Sequence, residues 1–384
     1  MASSTDSTSS ALVPPPGAPP ARDSLSLFRT ALAPPDAATE KYCFEALYVH
    51  FYNQPHNLQG FMQPLMSVFA QASERYKLWI ARILDLAFNR PGLGVEARML
   101  VATHVPEALL FFLHAPLPQW APQAKIAATA FASVYALLVR QLLSVPAHAS
   151  ANSPLTHALP TIKARMAHLF DVPDTPTGVR IALVKAMQRI IQVQTRLSSD
   201  PRAGPSAPAP SPLETSLSEI PQNHPNPALN VRALETESNA ILTQLITAQY
   251  TSADADLLMA LINALGVLAK VRQPLVKIVI ESMLSWTPAA LNGAEKPATQ
   301  IRNVEKTMRL LLFHFLRYVR LSHHGRPDGE NHSHSQRSFP QITFAYDYTL
   351  SHSSRRRTRI TKGPHGASRT RVRILSRSRG TSQA

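Results

Sequence analysis

The sequence predicts an all-α protein, a solenoid of stacked antiparallel helix pairs, and three observations carry that prediction. Apolar residues recur at helical spacing through most of the chain. Short breakers such as "NQPHN", "NRPGLG", "APLPQW" and "DVPDTP" separate the periodic stretches. Strand signals are nearly absent, since no sustained period-2 alternation precedes residue 338 and no Asn-Gly pair joins two apolar runs. Many helices joined by short loops, each apolar on more than one side, cannot all reach one shared core. That favours a HEAT-type α-solenoid over a closed bundle.

The elements follow in order. Residues 1–35 are Ser/Pro-rich, and "VPPPGAPPAR" holds too much proline for a helix or a central strand, so this segment is expected to be disordered. The repeat domain is expected over 36–319. Its first half reads as helices at about 37–52, 57–74, 76–89, 95–114, 120–144, 157–170 and 175–195. The polar, proline-rich stretch 196–227 interrupts the domain as a loop. Helices resume at about 228–250, 254–271, 274–286 and 299–319. With 33 prolines against 13 glycines, proline is expected to mark helix starts and linkers.

Individual residues sharpen this outline. In "TPTGVRIALVKAMQRIIQVQT" the positions Val179, Leu183, Ala186, Met187, Ile190 and Ile191 form one buried face, and Ile181, Val184 and Val193 widen it. Such a helix needs neighbours on more than one side. Thr175 followed by Pro176 reads as its start, a hydroxyl to cap free amides and a proline where no amide is needed. Asp254 and Asp256 read as caps of the helix that carries the Leu257, Leu258, Leu261, Leu265 and Leu268 stripe. The last helix, "QIRNVEKTMRLLLFHFLRYVR", is nearly continuous in apolar residues from Leu310 to Leu316, which calls for a further repeat to cover it, yet residues 320–384 do not read as continuing the array, which is expected to be cut short.

Several function classes find no support in these residues. No phosphate-binding glycine loop, nucleophile elbow, HExxH or paired Cys-x-x-Cys is present. The chain therefore reads as a non-enzyme without cofactor or metal. The single cysteine, Cys43, excludes an intramolecular disulfide framework, suits a reducing compartment and reads as a small buried hydrophobe. No signal peptide opens the sequence. The uncharged apolar run "IAATAFASVYALLV" at 126–139 falls short of the roughly 20 residues that span a bilayer and reads as a buried helix.

Charge is concentrated at the end of the chain. From residue 318 onward 13 basic residues face 3 acidic ones, which is 10 of the 15 net positive charges. Residues 320–384 read as a basic, His/Arg-rich, disordered tail. Its His323, His324, His332, His334, His352 and His365 lack the folded frame and thiolates of a structural zinc site. Its Arg355, Arg356, Arg357, Arg359, Arg371 and Arg373 offer RNA a set of phosphate contacts, the alternative reading of this chain as an RNA-binding adaptor.

Three blocks carry a resemblance: "GVRIALVKAMQRIIQVQT" (178–195), "PLETSLSEIPQNHPNPALNVRALETESNAILTQLI" (212–246) and "QIRNVEKTMRLLLFHFLR" (300–317). Their order and spacing resemble the amino-terminal HEAT region of the symplekin family, fungal type, over about residues 76–317. The most specific pieces are the "VRI..VK..QR...VQT" helix and the "SLS.IP.NHP" loop. That resemblance implies a nuclear scaffold of the pre-mRNA cleavage and polyadenylation machinery, whose helix arc holds a phosphatase of the RNA polymerase II C-terminal domain alongside other subunits of the complex. By position it assigns partner-facing roles to Lys185 and Asn230, with Arg180 and Arg189 on the same helix as Lys185. The residues themselves leave Lys185 open to being a solvated charge, and Asn230 to being a helix cap. Residues 1–75 match the family poorly. Members of the family continue beyond this region with a second one that engages the cleavage endonuclease, whereas here the composition changes abruptly. Residues from about 320 are therefore expected to reflect a truncated isoform, a retained intron or a shifted reading frame.

Overall fold

The computed structural model describes residues 14–20, 23–146, 149, 153–197 and 215–323, with side chains through residue 316. The chain divides into a unit of residues 1–325 and a unit of residues 326–384, and the described residues all belong to the first. Among them every regular element is helical. The expected tail and most of the expected 196–227 loop lie outside the described residues.

The first helices are α1 (Ser24–Leu32), α2 (Ala37–Asn53), α3 (Leu58–Ser67) and α4 (Glu74–Leu84), the last running into a π turn at Asp85–Asn89. Helix α1 falls inside the segment read as disordered. Its Leu27, Phe28 and Ala31 are buried, it packs on α2, and Asp23 caps it by accepting the Ser26 N–H at 3.1 Å. Order therefore begins earlier than composition suggests, because the apolar residues follow the proline cluster rather than mixing with it. Between α2 and α4 an aromatic nucleus forms. Phe44 and Trp79 stack at 5.0 Å, and the Trp79 Nε1–H donates to the Phe44 carbonyl at 2.9 Å. Cys43 is fully buried in α2.

Next come α5 (Val95–Ala102), α6 (Pro106–His114) and α7 (Leu117–Ser144). The sequence reads 95–114 as one helix, but Pro106 has no N–H to continue α5 and instead opens α6. Proline does not always mark a start: Pro64, Pro122 and Pro160 lie inside helices. Each removes one intrahelical hydrogen bond, and the burial of neighbours such as Leu159 and Ile162 holds the helix through the gap. Helix α7 extends well past the uncharged run and is long and apolar enough, by length and composition, to cross a membrane. Its Ala127, Phe131, Val134 and Leu138 are fully buried within the fold.

The remaining helices are α8 (Pro154–Asp171), α9 (Thr177–Val193), α10 (Val231–Thr251), α11 (Ala255–Val271), α12 (Val276–Leu284), α13 (Ala289–Gly293) and α14 (Ala298–His323). Their packing makes two rows. In one row α7 packs on α9, α9 on α11 and α11 on α14; in the other, α6 packs on α8. Cross-row contacts join α6 to α7, α8 to α9, α10 to both α9 and α11, and α12 to α11. This is the layered arrangement of consecutive antiparallel pairs that defines an α-solenoid. Helix α9 thus has α7 and α11 beside it and α8 and α10 behind it, which answers to its broad apolar surface.

The start of α9 departs from expectation. The Thr175 hydroxyl, 4% exposed, donates to the Leu169 carbonyl at 2.8 Å and closes the end of α8 instead of capping α9. The free amides of α9 receive no side-chain cap. Asp254 does cap α11, accepting the N–H groups of Asp256 and Leu257 at 2.9 and 3.2 Å and the Thr177 hydroxyl at 2.5 Å. One carboxylate therefore ties the starts of α9 and α11 together. Burial works against its ionisation, yet the Thr177 hydroxyl and the Leu257 and Asp256 amides outweigh burial and hold it below its ordinary value of 3.8. Stability from this contact is present in full above pH 3.8 and is lost as pH falls through the lower folded value. An acid titration followed by circular dichroism is expected to be flatter for Asp254→Asn than for the native chain in that window. Superimposable curves would remove the contact from the acid response.

At the far end of the rows, Val304, Met308 and Phe315 of α14 are buried on α11, while Leu310, Phe313 and Leu316 are exposed. Among the described residues no element covers that face.

Candidate protein-binding site

The free face of α9 is the side left over by its four neighbours. Lys185 is exposed there, one turn from the half-buried Ile181 and one turn from Gln188 and Arg189. Lys185 makes no ion pair among the described residues. On α11, the next helix of the row, the exposed positions Asn263, Val267 and Lys270 lie opposite the helices packed behind it and extend the same surface. A polar, solvent-accessible rim around partly apolar ground is the form a protein contact takes.

The other residues singled out in the sequence are placed differently. Arg180 sits on the opposite side of α9, its guanidinium 5.3 Å from the Phe170 ring of α8, so it does not share a surface with Lys185. The Arg189 Nη1–H donates to the Gln192 side chain at 3.2 Å, close to the helix end. Asn230 is the N-cap of α10, its Oδ1 accepting the Ala233 N–H at 2.9 Å. Asn230→Ala is expected to lower stability by about 1 kcal/mol, the usual loss for an N-cap, with Asn230→Asp near neutral. Parallel thermal melts check this; equal stability of all three proteins would deny the cap a role. Arg355, Arg356, Arg357, Arg359, Arg371 and Arg373 lie outside the described residues, as do His324, His332, His334, His352 and His365. Among the described residues no group of three or more metal-ligating side chains assembles.

Beneath the α9 face lies a polar network that reasoning from sequence did not find. Gln194, 1% exposed, donates from Nε2 to the Tyr135 hydroxyl of α7 and to Glu237 Oε2 of α10, each at 2.8 Å. Glu237 also pairs with Lys163 of α8, whose side chain is 5% exposed. Burial opposes the charge on Lys163, but the Tyr135 oxygen and the Glu237 carboxylate overcome it and hold the ammonium above its ordinary range. One residue from each of four helices or helix ends thus meets in a single cluster. Beside it the Thr195 hydroxyl donates to the Ile191 carbonyl at 2.7 Å and lies 3.4 Å from the Ser238 hydroxyl. The "VQT" end of the α9 motif is therefore a tie between helices.

The second motif is structural as well. Asn226 in "NHPNP" is fully buried, its Nδ2 donating to the Thr156 hydroxyl of α8 at 2.9 Å and its Oδ1 accepting the Ala228 N–H at 2.8 Å. The Ser216 N–H donates to the Glu219 carboxylate at 3.0 Å. The sequence signal for these ties was present, since both motifs set polar residues among apolar ones. What they bind was not readable, because the partners lie 59 and 70 positions away.

Paired helices in two rows, locked by buried polar ties and leaving a charged face open, define a helical-repeat protein of the interaction class. The sequence profile of the Symplekin/PTA1 N-terminal family matches residues 123–359. The chain belongs to this family, whose members are scaffolds of mRNA 3′-end processing with protein partners in the cleavage and polyadenylation complex. The match holds all three motif blocks and takes in α8 to α14 with most of α7. It begins later than residue 76 and reaches past residue 317, into the segment whose composition changes. No curated protein matches the sequence.

Proposed function

We propose that this chain is a non-enzymatic scaffold of the nuclear 3′-end cleavage and polyadenylation complex, and that its α9–α11 face binds a phosphatase of the RNA polymerase II C-terminal domain. The observation that supports the reading is Lys185, exposed and without an ion pair among the described residues, on the one free side of a helix otherwise enclosed. A rigid helix fixed on four sides presents that cation at a defined position, so little ordering is left to be done on binding. Val267 supplies adjacent apolar area, and Lys270 a second cation. In this reading Asn230 and the Gln194–Glu237–Lys163 cluster hold the surface in shape without touching the partner.

Calorimetric titration of the full chain with the cognate phosphatase at physiological salt tests the proposal. Saturable binding at one site is expected. A folded chain that takes up no phosphatase removes the central claim, and binding that disappears on deletion of residues 324–384 while Lys185→Ala leaves it intact moves the function to the Arg-rich segment.

A further inference from the structure

Behind the α9 face, the second row is open between α8 and α10. A groove of about 770 Å³ runs there, walled by small residues including Ala164, Ala167, Ala240, Thr243 and Thr247. Its α8 wall spans Lys163 to Asp171 and its α10 wall Glu237 to Thr251, about 12 and 21 Å at a rise of 1.5 Å per residue. Gln244 crosses the floor, its Nε2 donating to the Ala167 carbonyl at 3.0 Å. The hydroxyls of Thr243 and Thr251 donate back along their own helix, to Asn239 and Thr247 carbonyls at 2.9 and 3.0 Å, so the wall keeps little polar demand of its own. A second depression of about 310 Å³ on the other side of α10 shares Thr243 and Thr247.

The two ends of the groove differ in charge. At one end Lys163 and Glu237 neutralise each other. At the other end stands Arg180, its guanidinium set against Phe170. The Arg180 Nε is buried and has no acceptor among the described residues, and the side chain makes no ion pair there. Asp171 lines the same end, exposed at the rim and not paired with Arg180.

We propose that this groove docks a short helical segment of a partner protein, and that an Asp or Glu of that segment pairs with Arg180. The length of the walls fits roughly two to four turns of helix. Alanine and threonine walls let a helix backbone approach closely, as small residues do at helix contacts. A guanidinium held over a ring, here 5.3 Å from the Phe170 centroid, has less freedom in how it offers its fork to a carboxylate, which helps to fix the register of the segment. This site lies on the far side of α9 from Lys185, so it is separate from the phosphatase face and leaves both open at once.

The test is selection of a phage library of 12-residue helical peptides on the full chain, followed by anisotropy titration of the winners. The selected peptides are expected to share one acidic position. Their affinity is expected to fall about tenfold or more with Arg180→Gln and with Thr247→Trp, which fills the groove, to rise with Asp171→Asn, and to be unmoved by Lys185→Ala. Circular dichroism melts of the variants separate lost binding from lost fold. An empty selection, winners without a shared acid, or winners insensitive to both groove variants would overturn the proposal. A phosphoserine strongly preferred over the acid at that position would overturn the carboxylate assignment. Loss of phosphatase binding with retention of these peptides would overturn the proposed function alone.

Discussion

Replacing Glu237 by leucine is expected to destabilise the fold by about 2–3 kcal/mol, below the roughly 3–5 kcal/mol of a fully buried ion pair because the Glu237 side chain is 31% exposed. Lys163 has a side chain only 5% exposed, so without Glu237 its ammonium is left in the interior beside the Tyr135 ring, 5.9 Å from the centroid. Gln194 loses an acceptor in the same step. Since the cluster joins α7, α8, the end of α9 and α10, the loss falls on the junction between helix pairs and not on one helix. Urea unfolding measures it, as a lower midpoint at similar slope. The double variant Lys163→Met with Glu237→Leu is expected to recover most of the loss, because apolar groups of similar volume need no counter-charge. A single variant within about 1 kcal/mol of the native chain would show that the pair contributes little. The pair also has an alkaline signature. Lys163 is held above its ordinary value of 10.5, so its contribution is complete below that pH and is lost as pH rises through the higher folded value.

Lys185→Glu is expected to weaken phosphatase binding by at least tenfold, about 1.4 kcal/mol, with no change in stability. The stability half follows from exposure: the side chain touches no structural partner, and surface substitutions away from such features stay within about 0.5 kcal/mol. The affinity half follows from reversing a charge on a surface that binds through fixed anchors, which replaces attraction by repulsion. Lys185→Arg is expected to retain most of the affinity, and raised salt to reduce the difference between variants. Equal affinity of Lys185→Glu and the native chain, both folded, would take the partner away from the free face of α9.

The helices themselves were legible because their causes are local. Periods of 3.6 residues and breakers such as "DVPDTP" sit within a few residues of what they specify. The errors were local too. Pro106 split an expected helix into α5 and α6, and the five-residue α13 is too short to show a period. Helix α1 was hidden by the prolines before it. In the candidate site, the exposure of Lys185 was readable from its place opposite Leu183, Met187 and Ile190, all of them buried. The roles of Gln194, Thr195 and Asn226 were not, although the first two lie within, and the third directly follows, the most specific motifs in the chain.

By itself, then, the sequence determined that the chain is all-α, where most helices start and stop, and which sides of α9 are apolar, since each of these depends on neighbours a few positions away. The tertiary structure alone decided which polar residues are ties and which are free. Burial of a polar side chain is stable only where a partner meets it, and those partners arrive from distant helices: Tyr135 and Glu237 at Gln194, Thr156 at Asn226, Asp254 at Thr177. The same packing set Arg180 against Phe170 and opened the groove between α8 and α10, because the spacing of helices across a row is set by the shapes that meet there and by no residue alone.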